Sequence, residues 1–446
     1  MRGLMISAMA SGQGKTLLTC GLLAALKGRG LELRAFKCGP DYIDPMFHRR
    51  VLGVPSRNLD LFLQGQEGVR STLAAQQGDL ALVEGAMGFF DGVGGTHRAS
   101  AWDLARTAGL PVLLALRPQG ASLTLAAQVR GLLSFRSPSP IAALVLTQCT
   151  PSRYRQLRPM LEGETGLPVL GCFPPMEQAR IPSRHLGLLT AGEISALEER
   201  MQAIGDTLRQ TVDLDRLLEL AAPLPPAPSP VSPPPPRCTI AVARDDAFSF
   251  YYQDSLDALI RAGARLIFFS PLTDSSLPPA QGLYLGGGYP ELYARALSEN
   301  RSMRQSVRAA VEGGVPTVAE CGGFLYLQQA LSDPQGDSFP MAGALPGEGY
   351  ATSRLQRFGY LTLSAREDSL LLRAGEQLPA HEFHYWESTC PGEGLKAGKA
   401  WGKSWRCCFV SPTLYAGFPH LHFGGALPLA RRFADATQHY GKEHPL

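Results

Sequence analysis

The chain lacks any pair of cysteines with the spacing of a zinc site. Its nine cysteines include no Cys-x-x-Cys repeat, and Cys407 and Cys408 are adjacent in the sequence. This pattern excludes the usual structural zinc motifs. Scattered cysteines favour a reducing compartment over a disulfide-bonded secreted protein. We therefore expect a cytoplasmic protein.

Long hydrophobic runs and a strong net charge are also absent. No apolar run reaches the roughly 18 to 20 residues needed to cross a bilayer. The apolar start, residues 1–6, leads directly into a glycine-rich loop that signal-peptide cleavage would destroy. A formal net charge of +3 gives no reason to expect nucleic acid or an anionic membrane as the partner. We expect neither.

One proline-rich segment, residues 222–237, divides the chain. Proline removes hydrogen-bond donors and favours extended geometry, so this segment predicts a semi-rigid linker. A chain of 446 residues is long enough for two domains, which we place at residues 1–221 and 238–446. The alternative reading of the segment is a proline-rich ligand for a signalling domain.

Short apolar strands alternate with helical patterns in both halves. This alternation predicts two α/β domains with mainly parallel sheets, the first of them doubly wound. In the first half the predicted strands are Leu4–Ala8, Leu33–Cys38, Leu80–Glu84, Pro111–Leu116 and Ile141–Thr147, with helices at Thr16–Lys27 and Ala101–Ala108. In the second half they are Thr239–Ala243, Arg265–Phe269, Gly282–Leu285 and Val315–Ala319, with a helix at Tyr252–Ala262.

A glycine-rich loop joins the first predicted strand to the first predicted helix. Residues 11–16 include Gly12 and Gly14 and end in Lys15 and Thr16. Backbone N–H groups and the helix N-terminus surround a phosphate in such a unit. The lysine reaches the β- and γ-phosphates of a nucleotide, and the threonine hydroxyl reaches Mg²⁺. The chain lacks the first glycine of the strict motif, so the strand–turn–helix context carries the prediction of ATP binding.

A lysine and several carboxylates lie at the ends of the next two predicted strands. They are Lys37, Asp41, Asp44, Glu84 and Asp91. Side chains at successive strand ends of a parallel sheet converge on one crevice. We assign Lys37 to ATP, and Asp41 and Glu84 to Mg²⁺, which prefers hard oxygen ligands. Asp44 is our candidate for catalysis, although Asp44 and Asp91 could each serve the metal, the substrate or a proton, or simply cap a turn.

Four residues of the first half are candidates for substrate binding: Tyr42, Asp91, Arg184 and His185. An arginine binds a carboxylate with two parallel hydrogen bonds. Surface capping is the alternative role for Arg184 and His185.

The second half contains a cysteine on a sharp turn. Cys321 follows the predicted strand Val315–Ala319 and precedes Gly322 and Gly323. A cysteine between a strand and a helix receives the helix dipole, which favours the thiolate. A buried core cysteine, the alternative, would not need the two glycines. We predict a nucleophile whose base is a histidine distant in sequence.

Two histidines near residue 420 are candidates for that base. The segment containing His420 and His422 resembles the type I glutamine amidotransferases, which carry a His-x-Glu sequence at this place. The resemblance implies that His420 is the base. His422 then stands where the orienting glutamate is usual, so the third member of the triad is open.

Glycines follow the predicted strand Gly282–Leu285. The N–H of Gly287 or Gly288 can stabilise a tetrahedral oxyanion together with the N–H of Gly322. The alternative, a second phosphate loop, would require a lysine that this segment lacks.

Nearly the whole chain resembles the cobyrinic acid (or hydrogenobyrinic acid) a,c-diamide synthases. The glycine-rich loop is also similar to that of dethiobiotin synthetases, in the same branch of P-loop proteins as the ParA/MinD partition ATPases. In the first half the likeness lies in Phe36–Pro45 with His48, in Val83–Gly92 and in Arg184–Leu188. In the second half it lies in Ala241–Asp245, Phe248–Tyr252, Phe268–Leu272, Leu345–Gly347 and His381–Tyr385.

This resemblance implies a dethiobiotin synthetase-like P-loop domain followed by a type I glutamine amidotransferase-like domain. It further implies a ligase of cobalamin biosynthesis that amidates the a and c acetate carboxylates of a corrin ring. Cys321 would release ammonia from glutamine, and Mg-ATP would activate the carboxylate as an acyl phosphate. The two sites should then face one another. The presence of cobalt in the ring and the order of amidation stay open, and a homodimer is possible.

Three other functions stay open at this point. Cobyric acid synthases have a similar two-domain plan, although the segment Asp41–Asp44 favours the a,c enzyme. A related branch amidates nickel sirohydrochlorin. A ParA/MinD-like switch fused to an inactive amidotransferase-like module is a more distant alternative, which the presence of Cys321 and His420 disfavours.

His381 and His384 suggest a metal site at first sight. Their three-residue spacing on a strand places them on opposite faces, and no third ligand is nearby in sequence. We therefore expect structural or substrate-contact roles for both.

Overall fold

The computed structural model describes residues 1–176, 191–226 and 233–445. It divides into two units, Met1–Pro230 and Val231–Leu446. The domain boundaries at residues 221 and 238 stay predictions, because part of the proposed linker lies outside the described residues.

In the described part of the first unit, seven parallel strands form one sheet in the order β3-β2-β4-β1-β5-β6-β7. An eighth short strand pairs antiparallel with the start of β1. The strand order reverses direction around β1, which places a crevice at its carboxyl end. The strands are β1 Arg2–Ala8, β2 Leu33–Cys38, β3 Ser56–Leu59, β4 Leu80–Glu84, β5 Val112–Leu116, β6 Ile141–Thr147, β7 Val169–Phe173 and β8 Ala222–Pro223.

Helices cover both faces of this sheet. Successive residues of a strand point to opposite faces, so Leu4 and Ile6 of β1 join one core while Met5 joins the other. Burial on both sides explains why the strands read as continuous apolar runs. The helices are α1 Lys15–Lys27, α2 Ile43–Arg50, α3 Gly65–Ala74, α4 Ala101–Ala108, α5 Leu123–Phe135, α6 Pro151–Thr165, α7 Ala191–Thr211 and α8 Leu214–Leu220.

The second unit contains a central sheet in the order β11-β9-β12-β14-β22-β21, parallel except for β21. A further sheet has the order β16-β15-β17-β19-β20, with β18 paired to β17, and β10 pairs with β13. The strands are β9 Cys238–Ala243, β10 Phe248–Phe250, β11 Ala264–Phe269, β12 Gly282–Leu285, β13 Gly287–Gly288, β14 Thr317–Glu320, β15 Ala330–Ser332, β16 Ser338–Pro340, β17 Glu348–Ala365, β18 Gln377–Ser388, β19 Leu395–Gly398, β20 Ser404–Cys407, β21 Phe409–Ser411 and β22 Leu414–Gly417. The helices are α9 Gln253–Arg261, α10 Ala294–Glu299, α11 Arg301–Glu312, α12 Gly322–Leu327 and α13 Leu427–Glu443.

The predicted fold class, two α/β domains with the first doubly wound, is confirmed. Strands β2, β4, β6 and β12 have the predicted bounds, and the other predicted strands differ by one or two residues. The largest difference is at β14, which ends at Glu320 rather than Ala319 and begins at Thr317 rather than Val315. Pro316 separates the two and has no N–H to donate to a neighbouring strand.

Within the described ranges, none of the helices combines the length and apolar character that crossing a membrane requires.

Candidate functional site

The glycine-rich loop lies between the end of β1 and the start of α1. Gly12 has φ 75° and Gly14, the residue before α1, has φ 86°. Any side chain larger than a hydrogen atom would be strained in this left-handed backbone conformation, so glycine is favoured at both positions. The loop backbone and the N-terminus of a 13-residue helix together form a site suited to a phosphate.

The loop lysine is held close to the protein backbone. Nζ of Lys15 donates to the carbonyl oxygens of Ala10 at 3.0 Å and Met87 at 2.6 Å. Burial, followed by repulsion from Lys37, lowers the pKa of Lys15 to about 8. A phosphate would replace these carbonyls with a full negative charge, which favours the protonated lysine.

Four of the predicted site residues meet at the carboxyl ends of β2 and β4. Lys37 and Glu84 are register partners on these strands, and Nζ of Lys37 lies 2.7 Å from Oε1 of Glu84. The same Nζ lies 2.5 Å from Oδ2 of Asp44, in the first turn of α2. Oγ1 of Thr16 donates to Oε1 of Glu84 at 2.6 Å. A loop hydroxyl, two carboxylates and a lysine therefore form one cluster.

Burial sets the charges of this cluster. It raises the pKa of Glu84, and the negative charge of Asp44 raises it further. Burial works against the protonated form of Lys37, but Glu84 and Asp44 outweigh it and hold the pKa of Lys37 well above its ordinary value. The lysine therefore stays charged and balances the two carboxylates.

His48 is a member of this cluster to which the sequence reasoning assigned no role. Its imidazole is fully buried, with Nε2 4.0 Å from Oε2 of Glu84 and Nδ1 3.0 Å from Oγ of Ser56. Burial lowers the pKa of His48 to about 4, so the ring is neutral at pH 7. The available signal was its position one helical turn after Asp44.

The remaining candidates of the first unit have local contacts or lie outside the described ranges. Oδ1 of Asp41 accepts the N–H groups of Ile43 and Asp44 at the start of α2, which Tyr42 precedes. Oδ2 of Asp91 accepts the N–H of Gly88, which is the contact expected of a turn-capping residue. The negative charge of Asp91 also acts to raise the pKa of Lys15. Arg184 and His185 lie outside the described residues.

Among the described residues, no group of three or more histidine, cysteine, aspartate or glutamate side chains is arranged to hold a metal ion. Any metal bound here would therefore take part of its coordination from a ligand or from water.

In the second unit, Cys321 occupies the turn between β14 and α12. Its φ of 48° and ψ of −102° are strained for a residue with a side chain, and such strain recurs at nucleophile turns. A Cβ on Gly323 would lie 2.2 Å from the carbonyl oxygen of Leu285. A glycine is thus required for α12 to start this close to β12.

Burial dominates the ionisation of this cysteine. It raises the pKa of the Cys321 thiol, and the charge of Glu291 raises it further, while the N–H of Gly322 acts in the opposite direction. This differs from the thiolate that we expected from the helix dipole. Cys321 is only 8% exposed and α12 has six residues, so desolvation outweighs the dipole.

The predicted oxyanion glycines lie against the cysteine turn and the histidine. A Cβ on Gly322 would lie 3.1 Å from the backbone nitrogen of Gly288. A Cβ on Gly287 would lie 2.6 Å from Cε1 of His420. The three glycines therefore lie where the backbone segments and the imidazole of His420 come close to one another.

His420 follows β22, the neighbour of β14 in the central sheet. It is buried, and its backbone exchanges two hydrogen bonds with His381 of β18. Its Nδ1 lies 3.8 Å from Oε2 of Glu320, the residue before the cysteine. Glu320 was not among the predicted site residues, because in the sequence it is only the residue between the predicted strand Val315–Ala319 and Cys321.

His422 lies in the turn that follows. Its Nδ1 accepts the N–H of Gly425 at 2.9 Å, and its ring lies 4.7 Å from that of Tyr252 between centroids. Its proposed triad role stays a prediction.

His381 and His384 are both buried in the second unit. His381 reaches His420 through its backbone, and the ring of His384 stacks on Phe418 with centroids 3.9 Å apart. Nδ1 of His384 lies 2.6 Å from the carbonyl oxygen of Trp386. These contacts accord with the structural roles expected for both.

Comparisons with known proteins match both halves of the chain. Residues 4–189 match the CobQ/CobB/MinD/ParA nucleotide binding domain, and residues 239–426 match the CobB/CobQ-like glutamine amidotransferase domain. A cobyrinate a,c-diamide synthase from Clostridium acetobutylicum is 38% identical over 435 residues, 96% of this chain and 98% of that protein. A Salmonella typhimurium protein of the same name is 38% identical over 434 residues, 94% of each chain.

Proposed function

Because the chain belongs to the cobyrinate a,c-diamide synthase family, we propose that it amidates the a and c acetate carboxylates of cobyrinate with ATP and glutamine. The product is a diamide of cobalamin biosynthesis. The observation that carries this proposal is similarity over nearly the full chain, with a nucleotide-binding domain and a glutamine amidotransferase domain in one polypeptide.

The second unit supplies ammonia from glutamine. Sγ of Cys321 attacks the side-chain amide carbon, forming a γ-glutamyl thioester and expelling ammonia, and water then releases glutamate. His420 takes the thiol proton, passes it to the leaving nitrogen and afterwards activates the water. Because burial raises the pKa of the Cys321 thiol, a base is needed to ionise it.

The backbone stabilises the negative oxygen of each tetrahedral intermediate. We assign this role to the N–H of Gly322 with that of Gly287 or Gly288. The close approach of Gly322 to the nitrogen of Gly288 supports the assignment.

The first unit activates the carboxylate. An oxygen of the acetate attacks the γ-phosphorus of ATP, ADP leaves, and the acyl phosphate then gives the amide when ammonia displaces phosphate. The loop glycines Gly12 and Gly14, with Lys15 and Lys37, hold and neutralise the phosphates. We assign to Asp44 the role of accepting the proton that the attacking nitrogen loses. The contact between Asp44 and Lys37 supports this assignment, because the positive charge of the lysine favours the unprotonated carboxylate of Asp44.

The same cluster fits Mg²⁺. Oγ1 of Thr16 and Oε1 of Glu84 lie 2.6 Å apart, and both are the hard oxygen donors that this ion prefers. Thr16, Glu84 and Asp41 would hold the ion, with water and phosphate oxygens completing its shell. Bound there, it would supply positive charge to the transferring phosphoryl group.

We retain Tyr42, Asp91, Arg184 and His185 as candidates for corrinoid binding. Asp91 lies near Lys15, which supports a position beside the reacting groups. Further proposals are the cytoplasm as location, no nucleic-acid partner and a homodimer as a possible assembly. The free thiols of all nine cysteines support the first.

The experiment incubates the purified protein with Mg-ATP and glutamine, with cobyrinate or hydrogenobyrinate. Mass spectrometry counts the amides, while ADP and glutamate are measured in parallel. We expect two amides and corrinoid-dependent release of both products. Cys321→Ala should amidate only when ammonium replaces glutamine.

ATP turnover without amide product, unaffected by loss of Cys321, would instead support the nucleotide switch. Two further substrates test the related synthases. Amidation of nickel sirohydrochlorin would support the nickel sirohydrochlorin enzyme, and amidation of cobyrinate a,c-diamide would support a cobyric acid synthase.

A further inference from the structure

In the His-x-Glu sequence of type I glutamine amidotransferases, the triad glutamate lies two residues after the histidine. In this chain His422 occupies that position after His420. His422 uses its Nδ1 to accept the N–H of Gly425, and its ring packs against Tyr252. Burial lowers the pKa of His422 to about 4, so it carries no charge at pH 7. It cannot supply the negative charge that an orienting carboxylate gives to a catalytic imidazole.

A carboxylate does lie beside the imidazole of His420. Glu320 is 1% exposed, and its Oε2 lies 3.8 Å from Nδ1 of His420. Strands β14 and β22 pair in parallel with Glu320 opposite Gly417, so their carboxyl ends bring the two side chains together. The contact joins residues 100 positions apart through the register of the sheet.

The Glu320 carboxylate is fixed at both oxygens. Oε1 accepts the N–H of Leu421 at 3.1 Å, and Oε2 accepts the hydroxyl of Tyr284 at 3.3 Å. The first of these bonds ties the carboxylate to the residue directly after His420. Movement of the histidine turn is therefore coupled to the position of the carboxylate.

We propose that Glu320 is the positioning carboxylate of the glutaminase centre and acts through His420. The proposal rests on the amidotransferase function described above. A negative charge beside Nδ1 favours the tautomer with its proton on that nitrogen, which leaves Nε2 to accept the thiol proton of Cys321. The same charge stabilises the imidazolium that forms. At 3.8 Å the pair is looser than a hydrogen bond, and such contacts tighten when substrate binds.

The test compares Glu320→Gln and Glu320→Asp with His422→Gln and with Glu312→Gln, an exposed carboxylate of α11. We expect Glu320→Gln to lower kcat of glutamine hydrolysis by on the order of 100-fold with little change in KM. Glu320→Asp should recover part of that loss, and Glu312→Gln should leave the rate unchanged. Loss of glutaminase activity in His422→Gln with full activity in Glu320→Gln would overturn the proposal.

Amidation of cobyrinate with ammonium separates this inference from the proposed function. If the unaltered protein amidates cobyrinate with neither ammonium nor glutamine, the proposed function fails. If it amidates with both and Glu320→Gln keeps the glutamine-driven rate, only the role of Glu320 fails.

Nitrogen-15 NMR of histidine-labelled protein gives a readout that does not depend on the folding of a Glu320 variant. His420→Gln assigns the resonance. We expect the resting ring to carry its proton on Nδ1. A ring protonated on Nε2 would contradict the proposal.

Discussion

Lys37 and Glu84 occupy partner positions on adjacent parallel strands, and their charged groups lie 2.7 Å apart inside the first unit. Lys37 also contacts Asp44, so one ammonium balances two buried carboxylates. Removing one partner of a buried ion pair costs about 3–5 kcal/mol, because the remaining charge has no compensation. The cluster of Thr16, Lys37, Asp44 and Glu84 therefore depends on this lysine for its stability as well as for its proposed chemistry.

Replacement of Lys37 by methionine tests that dependence. We expect faster amide hydrogen exchange in β2 and β4 and loss of amidation with either nitrogen source. Lys396→Met, an exposed lysine of β19, is the control for loss of one positive charge. Unchanged exchange in both strands would mean that Lys37 does not hold the cluster together.

The loop hydroxyl is tested by Thr16→Ala and Thr16→Ser. The first variant removes the oxygen that lies 2.6 Å from Glu84, and the second retains it. Loss of a group at a metal site commonly weakens metal binding by about 10- to 100-fold. We expect Thr16→Ala to need correspondingly more Mg²⁺ for half-maximal ammonium-driven amidation, with Thr16→Ser close to the unaltered protein.

Covalent labelling of Cys321 by an electrophilic glutamine analogue is the control for this pair. Its rate should be the same in both Thr16 variants, because the threonine belongs to the other unit. A parallel loss of labelling would indicate general misfolding rather than a local defect.

The parallel sheets could be predicted because their strands are buried on both faces. Such strands appear as short apolar runs bounded by glycine or polar residues, and β2, β4 and β6 have the predicted ends. The antiparallel sheet of the second unit gave no comparable signal. Its longest strand, β17 at Glu348–Ala365, is for the most part exposed or only partly buried and mixes polar with aromatic residues. Its pairing with β18 is set by contacts distant in sequence.

The candidate sites show the same difference between features set by local sequence and features set by contacts distant in sequence. Cys321 and the glycine-rich loop could be proposed as site residues from the sequence because a local motif carries each one. The contacts of Glu320 with His420 and of His48 with Glu84 were not visible, since each requires the register of elements distant in sequence. The raised pKa of the Cys321 thiol also depends on how deeply the turn is buried.

Gly287 offers a steric test of the glutaminase centre. An alanine there would place its Cβ 2.6 Å from Cε1 of His420, so the imidazole or the backbone has to move. Displacing a catalytic group by about 1 Å can cost 100-fold in rate. We expect Gly287→Ala to lower glutamine-driven amidation by about that factor and to spare the ammonium-driven reaction. Gly398→Ala in β19, whose Cβ would have ample room, is the matched control.

The buried histidines predict that the second unit loses stability in acid. Burial lowers the pKa of His422 to about 4, below its value of about 6.5 in the unfolded chain. The unfolded chain therefore binds more protons between these two pH values. The stability that comes from a neutral His422 is complete above pH 6.5 and is lost as the pH falls towards 4.

Between the two pKa values stability falls by about 1.36 kcal/mol for each pH unit, so from pH 7 to pH 5 this single residue should cost about 2 kcal/mol. His422→Gln should reduce the acid-induced increase in hydrogen exchange of α9 and α13. His439→Gln, an exposed histidine of α13, should leave that increase unchanged. His384 adds to the effect with the same sign, because burial lowers its pKa to about 4 as well. Equal acid sensitivity in His422→Gln and the unaltered protein would show that His422 is not kept neutral by the fold.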